Sequence, residues 1–103
     1  MELRQPAVAG QFYPGSSSQL RSMVESLVDK NAEKEEVVGL VIPHAGYIYS
    51  GAVAGAAISR VKFKDTFIII GPNHTGYGKP FSIMTLVFVH TFGSSGRSTA
   101  RHL

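Results

Sequence analysis

The chain has 103 residues, no cysteine and a formal net charge of +3, which allows one small domain and excludes disulfides and thiolate metal ligands within it. The apolar share of 44% indicates a folded domain, and no apolar run approaches the ~18 residues of a membrane span. Acidic residues gather at 33–36 and no basic stripe is interleaved with aromatic residues, so nucleic-acid binding is not expected.

The first segment, residues 4–20, is punctuated by prolines and glycines and predicts a loop or a short edge strand. The chain does not begin with the apolar stretch of a signal peptide, so the cytoplasm is the expected compartment. Three serines at 16–18 offer N-caps for a helix that continues to about Lys30, because apolar residues recur there at spacings of three and four. Residues 31–36, "NAEKEE", which include the acidic stretch at 33–36, are interpreted as a solvated linker.

Two short apolar runs, 37–42 and 66–70, are rich in β-branched residues and predict strands that are buried on both faces. Residues 50–61 between them predict a helix. Its expected apolar stripe consists of Val53, Ala54, Ala57, Ile58 and Val61. A strand, a helix and a strand in this order form a βαβ unit with parallel strands. The predicted fold class is therefore α/β, with a central, mostly parallel sheet flanked by helices.

The pattern becomes less regular after Gly78. Residues 81–89 could form a third strand, whereas 90–103 contain glycine, serine and arginine without periodicity. We therefore expect residues 1–82 to form the α/β part and residues 83–103 to be a divergent, disordered tail.

Each predicted strand is followed by a loop that carries a histidine. His44 lies two residues after the first strand, in "PHAGYIYSG", and His74 lies four residues after the second, in "GPNHTGYG". Both strands of a βαβ unit end at the same edge of the sheet, where open α/β sheets bind ligands, and neighbouring strands are ~4.8 Å apart. The two imidazoles are predicted to converge on one ion, at ~2.0–2.1 Å from each nitrogen if the metal resembles zinc. The simpler alternative is that both are ordinary surface residues in turns.

Three tyrosines near these histidines, Tyr47, Tyr49 and Tyr77, could line a cleft and donate hydrogen bonds to a substrate. Alternatively, their rings pack against apolar neighbours and leave the hydroxyls in water. The glycines of "GPNHTGYG" resemble a phosphate loop only weakly, because neither GxxxxGK[ST] nor GxGxxG is present. Ser50 is interpreted as the N-cap of the second helix rather than as a nucleophile.

Three stretches, "RQPAVAGQFYP", "PHAGYIYSGAVAG" and "GPNHTGYG", occur in this order and spacing. Together they resemble the Memo family, whose prokaryotic members are called AmmeMemoRadiSam system protein B, over roughly residues 4–82. The resemblance implies a fold like that of the LigB-like class III extradiol dioxygenases, which are non-haem iron enzymes. It also implies that His44 and His74 are two of the family's metal ligands and that the metal is iron or copper.

The chain departs from the family in two ways. Family proteins are more than twice as long, and their third ligand, a cysteine in the better-studied members, lies far downstream, so we expect an N-terminal fragment with half of the metal site. The family also carries Thr-Pro-Leu-Gly where this chain has "HTFG" at 90–93. Codons for His-Thr-Phe-Gly can encode Thr-Pro-Leu when read one base later. We therefore hypothesise a reading-frame slip between Gly78 and His90, which resequencing of the locus tests.

The resemblance leads to the hypothesis that the intact protein is a metal-dependent, dioxygenase-like oxidoreductase and that the fragment itself is inactive. One alternative is a protein that binds a peptide or small molecule without turnover, in which the histidines and tyrosines are contact residues. Another alternative is a metal carrier. An open sheet edge and an uncovered apolar face would also favour self-association of the fragment.

Overall fold

A computed structural model of the protein describes residues 3–66, 68–82 and 87–88. The elements in chain order are a two-residue strand β1 (Leu3–Arg4), helix α1 (Ser17–Leu27), helix α2 (Tyr47–Ser59) and a two-residue strand β2 (Val87–Phe88). The two helices pack against each other, and the two strands form a small sheet. Neither helix in the described residues has the length and apolar character required to cross a membrane.

Helix α1 begins where the serine cluster predicts it. Ser16 is the N-cap, and its Oγ accepts a hydrogen bond from the Gln19 backbone N–H at 3.2 Å. Leu20, on the apolar face of the helix, is buried. The helix ends at Leu27, three residues before the expected end at Lys30.

Helix α2 begins at Tyr47, three residues earlier than the sequence pattern predicts. Its N-cap is Gly46, and the Tyr47 backbone N–H donates to the Phe12 carbonyl oxygen at 2.8 Å. Ser50 lies inside the first turn, where its hydroxyl donates to the Ala45 carbonyl oxygen at 3.0 Å. The interpretation of Ser50 as the N-cap is therefore wrong, because the helix begins three residues before it and the Ser50 hydroxyl bonds back to Ala45.

A stripe of small residues on α2 packs against the end of α1. Gly51, Gly55 and Ser59 recur every fourth residue, and all three are buried. A Cβ atom added at Gly55 would lie 2.2 Å from the Leu27 carbonyl oxygen, so only glycine permits this approach. Ser59 completes the contact: its Oγ accepts from the Asp29 N–H at 2.8 Å and donates to the Gly55 carbonyl oxygen at 2.6 Å.

The expected apolar stripe of α2 is only partly buried. Val61, just after the helix, is buried, but Val53 is 63% exposed. The face that packs in the described chain is the one with the small side chains, because those side chains allow the backbone of α1 to approach. The side that carries Val53 remains open to solvent.

The described residues of the two predicted strands, 37–42 and 66–70 without residue 67, are not assigned to a strand. A parallel bridge nevertheless joins the segments just before them, at Glu35 and Val61. The Glu35 N–H donates to the Arg60 carbonyl oxygen at 2.8 Å, and the Lys62 N–H donates to the Glu35 carbonyl oxygen at 2.9 Å. The direction of this bridge is the one that a βαβ unit requires, but the α/β fold class itself stays a prediction.

Charged side chains reinforce this bridge. Glu35 forms an ion pair with Arg60 at 2.7 Å, and Glu36 forms ion pairs with Lys62 at 3.2 Å and with Lys64. The hydrogen bond and the negative charge of Glu35 raise the pKa of Arg60 above its ordinary value. The stretch at 33–36 is therefore not a free linker, since two of its glutamates bind the segment that follows α2.

Strands β1 and β2 pair in parallel, with Leu3 opposite Val87 and Arg4 opposite Phe88. Strand β1 overlaps the start of the predicted N-terminal segment, 4–20, at Arg4, and β2 falls inside the possible third strand at 81–89. The remainder of the predicted tail, residues 83–86 and 89–103, lies outside the described residues.

Candidate functional site

His44 and His74, which follow the two predicted strands, lie next to each other. Their ring centroids are 5.2 Å apart and the ring planes are tilted by 46°. Both residues are exposed to solvent. The juxtaposition expected from the sequence pattern is therefore present, even though the described residues of 37–42 and 66–70 do not form strands.

The loop of residues 43–46, called here the His44 loop, is tied to the start of α2. The Ser50 hydroxyl donates to the Ala45 carbonyl oxygen at 3.0 Å, and the Tyr47 N–H bonds to Phe12. Because the two anchored backbone positions, Ala45 and Tyr47, lie one and three residues after His44, they restrict the backbone that carries it. The position of the His44 loop is thus fixed relative to the N-terminus of α2.

The loop of residues 71–78, called here the His74 loop, is closed by the side chain of Asn73. Asn73 Oδ1 accepts hydrogen bonds from the Thr75 N–H, the Thr75 hydroxyl and the Gly76 N–H, each at 3.1 Å. Its Nδ2 donates to the Tyr77 carbonyl oxygen at 2.8 Å. Gly76 has φ of +73°, a left-handed conformation that suits glycine. The sequence analysis did not identify Asn73, although asparagine shortly before a glycine is typical of such side-chain-closed turns.

The spacing of the histidine rings is compatible with a shared metal ion. Two imidazoles that bind one ion at ~2.1 Å place their ring centres roughly 4.5–5.3 Å apart for bond angles between octahedral and tetrahedral values. Rings that only pack against each other fall in an overlapping range of about 4.5–7 Å. Among the residues that the structure describes, no group of three or more histidine, aspartate, glutamate or cysteine side chains surrounds the pair. The spacing of the two rings therefore fits two ligands of a metal site.

The three tyrosines expected near the site differ in their surroundings. Tyr47 is half-buried, and its ring packs on Tyr13 with centroids 5.4 Å apart. Tyr49 is 82% exposed and Tyr77 is 83% exposed. The ring of Tyr47 thus packs against the N-terminal segment. The rings of Tyr49 and Tyr77 are exposed and could contact a ligand. The sequence analysis missed the contribution of Tyr13.

Residues 4–94 match a family model described as Memo-like protein. The chain belongs to the Memo family. Both histidine loops lie inside the matched range, which continues beyond residue 82, the boundary predicted from the sequence motifs.

Relatives of this Memo-family chain carry the name MEMO1 family protein. One from Methanococcoides burtonii is 48% identical over 92 residues, which cover 88% of this chain and 35% of the relative. One from Archaeoglobus fulgidus is 43% identical over 91 residues, covering 88% and 34%. One from Aquifex aeolicus is 42% identical over 84 residues, covering 81% and 32%. The chain thus spans about a third of the length of these relatives, and no solved structure matches it.

Proposed function

We propose that this Memo-family chain binds iron or copper through His44 and His74. We further propose that the intact protein is an oxidoreductase that depends on this metal. The observation that carries the proposal is the 5.2 Å separation between two exposed imidazole rings on separate loops. Family membership gives further support, since the motifs that contain both histidines fall within the matched residues.

Imidazole is a suitable ligand for both metals, because a neutral ring offers a nitrogen lone pair and tolerates iron and copper alike. Two ligands leave the other coordination positions to water, to a substrate or to groups elsewhere in the intact protein. When bound, the metal would supply a redox centre and a Lewis acid. The chain itself contributes two imidazoles on loops that hydrogen bonds hold in place, so less ordering is needed when an ion arrives.

The proposal is tested by measuring metal content and affinity for the full chain. Protein purified without chelator is analysed for iron and copper and then titrated with Cu(II), or with Fe(II) under anaerobic conditions. We expect His44→Ala and His74→Ala each to weaken binding by at least about tenfold, because loss of even an outer-shell partner typically costs 10–100-fold in metal affinity. The double variant should be little worse than either single variant, since one histidine alone makes a poor site.

His102→Ala serves as the matched control, because it removes an imidazole that lies outside both histidine loops. Unchanged affinity in His102→Ala together with a loss in the two loop variants supports the proposal. If the His44→Ala, His74→Ala double variant binds Cu(II) and Fe(II) as tightly as the parent chain does, the proposal is contradicted.

A second candidate function, binding of a peptide or small molecule without turnover, is favoured by the exposure of Tyr49 and Tyr77. Tyrosine is enriched at interfaces because its ring is apolar and its hydroxyl can donate a hydrogen bond. Ligand binding that survives both chelation and the double histidine substitution supports this function. A metal carrier would use the same two histidines. It would transfer bound copper to a chelating acceptor without oxidising any substrate, and this transfer distinguishes it from an oxidoreductase.

A further inference from the structure

We propose that Asn73 is a positioning residue that closes the His74 loop and thereby holds the His74 ring against His44. Its consequence for metal affinity rests on the proposed function, but its consequence for the position of the two rings does not. Asn73 itself is placed in the turn by hydrogen bonds and is not proposed as a ligand.

The side-chain amide of Asn73 uses both of its ends within one turn. The oxygen accepts from two backbone N–H groups, those of Thr75 and Gly76, and from the Thr75 hydroxyl. The nitrogen donates to the carbonyl oxygen of Tyr77. The Thr75 hydroxyl in turn accepts from the Tyr77 N–H at 3.3 Å. His74 lies inside the ring of hydrogen bonds that joins residues 73 and 77.

Little else in the described chain fixes this loop. Residues 71–78 are exposed and belong to no helix or strand, and Gly76 and Gly78 have positive φ angles of +73° and +82°. Glycine backbones have more conformational freedom than other residues, so such a segment loses more entropy when it is ordered. Side-chain hydrogen bonds from Asn73 replace the backbone ladder that a regular element would supply.

Two substitutions of Asn73 separate the role of its side-chain oxygen from that of its side-chain nitrogen. Asn73→Ala removes all four hydrogen bonds of the side-chain amide. Asn73→Asp keeps an oxygen for the three donors on Thr75 and Gly76, but it replaces the donor to Tyr77 with a second oxygen that the Tyr77 carbonyl oxygen repels. Asn31→Ala is the matched control, because the hydrogen bond given by Asn31 to Asp29 uses its backbone N–H.

The first experiment measures ring-to-ring nuclear Overhauser effects between His44 and His74 in the full, metal-free chain. We expect the effect in the parent chain and in Asn31→Ala, a weaker effect in Asn73→Asp, and its loss in Asn73→Ala. Hydrogen exchange of the Gly76 amide should be faster in Asn73→Ala than in the parent chain. A persistent ring-to-ring effect in Asn73→Ala, or its absence from the parent chain, overturns the proposal.

The second experiment titrates the parent chain, Asn73→Ala and Asn31→Ala with Cu(II) alone. Because partners that orient a metal-binding histidine typically contribute 10–100-fold in affinity, we expect a loss of roughly that size in Asn73→Ala only. If the parent chain binds no metal while the ring contact still depends on Asn73, the proposed function fails and the positioning role stands. If the parent chain binds Cu(II) and Asn73→Ala binds it equally well, the positioning role fails and the proposed function stands.

Discussion

Gly55 lies where α2 packs closely against the end of α1. A Cβ atom there would lie 2.2 Å from the Leu27 carbonyl oxygen and 2.8 Å from the Leu27 carbonyl carbon. Both of these are backbone atoms, so no side-chain rotation can relieve the clash. The cost that glycine imposes on a helix interior is therefore offset by a helix contact that no larger residue allows.

Gly55→Ala is expected to lower the free energy of unfolding by about 1–3 kcal/mol, because the added methyl group forces the helices apart. In an open helix the same substitution would raise it by about 1 kcal/mol, so the sign of the change is diagnostic. Urea unfolding monitored by circular dichroism measures it. Gly39→Ala is the control, since an added Cβ there meets nothing within 4 Å. Stabilisation by Gly55→Ala would contradict the close helix contact.

At the scale of elements, the acidic stretch and the segment after α2 form a charged contact around a parallel bridge. Glu36 pairs with Lys62 and Lys64, and the side chains of all three are more than half exposed. Exposed ion pairs contribute about 0–1 kcal/mol each and are screened by salt. The backbone hydrogen bonds of Glu35 to Arg60 and Lys62 therefore hold the two segments together, and the ion pairs add a smaller stabilisation.

Glu36→Gln is expected to reduce the free energy of unfolding by no more than about 1 kcal/mol at low salt, because it removes the charge partner of two lysines. The difference from the parent chain should fade near 1 M salt, where the screening length is about 3 Å. Urea unfolding at both salt concentrations tests this. Glu25→Gln on α1 provides a carboxylate-to-amide change of the same size. An equal effect in both variants, or one that persists at high salt, argues against the ion pairs.

Sequence patterns predict some of these elements and not others. The position of α1 follows from Ser16 and the spacing of its apolar residues, and the meeting of His44 and His74 follows from their places after two similar apolar runs. The buried face of α2 does not follow, because Gly51, Gly55 and Ser59 have almost no apolar surface and their burial depends on where α1 ends. The turn around His74 is missed for a similar reason, since the hydrogen bonds of Asn73 depend on backbone angles that no periodicity encodes.

At the scale of the whole molecule, much of the apolar surface is uncovered. Val41 is 97% exposed and Ile69 is 85% exposed, and both belong to the runs predicted as strands. Other large apolar side chains with exposure above 60% are Val38, Ile48, Val53, Ile68, Ile70 and Phe81. Exposed apolar side chains in this number favour association with other chains.

We expect the chain to self-associate as its concentration rises and Val41→Lys combined with Ile69→Lys to suppress the association, because a charge on an apolar edge blocks its pairing. Sedimentation velocity across a concentration series measures it. Ser22→Lys combined with Ala52→Lys adds the same charge at exposed helix positions and is expected to leave the association in place. A chain that stays monomeric at all concentrations, or one that responds equally to both pairs of changes, contradicts the expectation.

The bridge between Glu35 and Val61 also fixes an offset between the two segments that leave it. If the same register continues, His44, nine positions further on, lies opposite Ile70 and not opposite His74. Four extended residues would carry His74 about 13 Å past its partner. With that register, rings that lie 5.2 Å apart require the chain to double back within the His74 loop. The turn closed by Asn73 would then compensate for an offset that is set at the bridge, nine residues before His44.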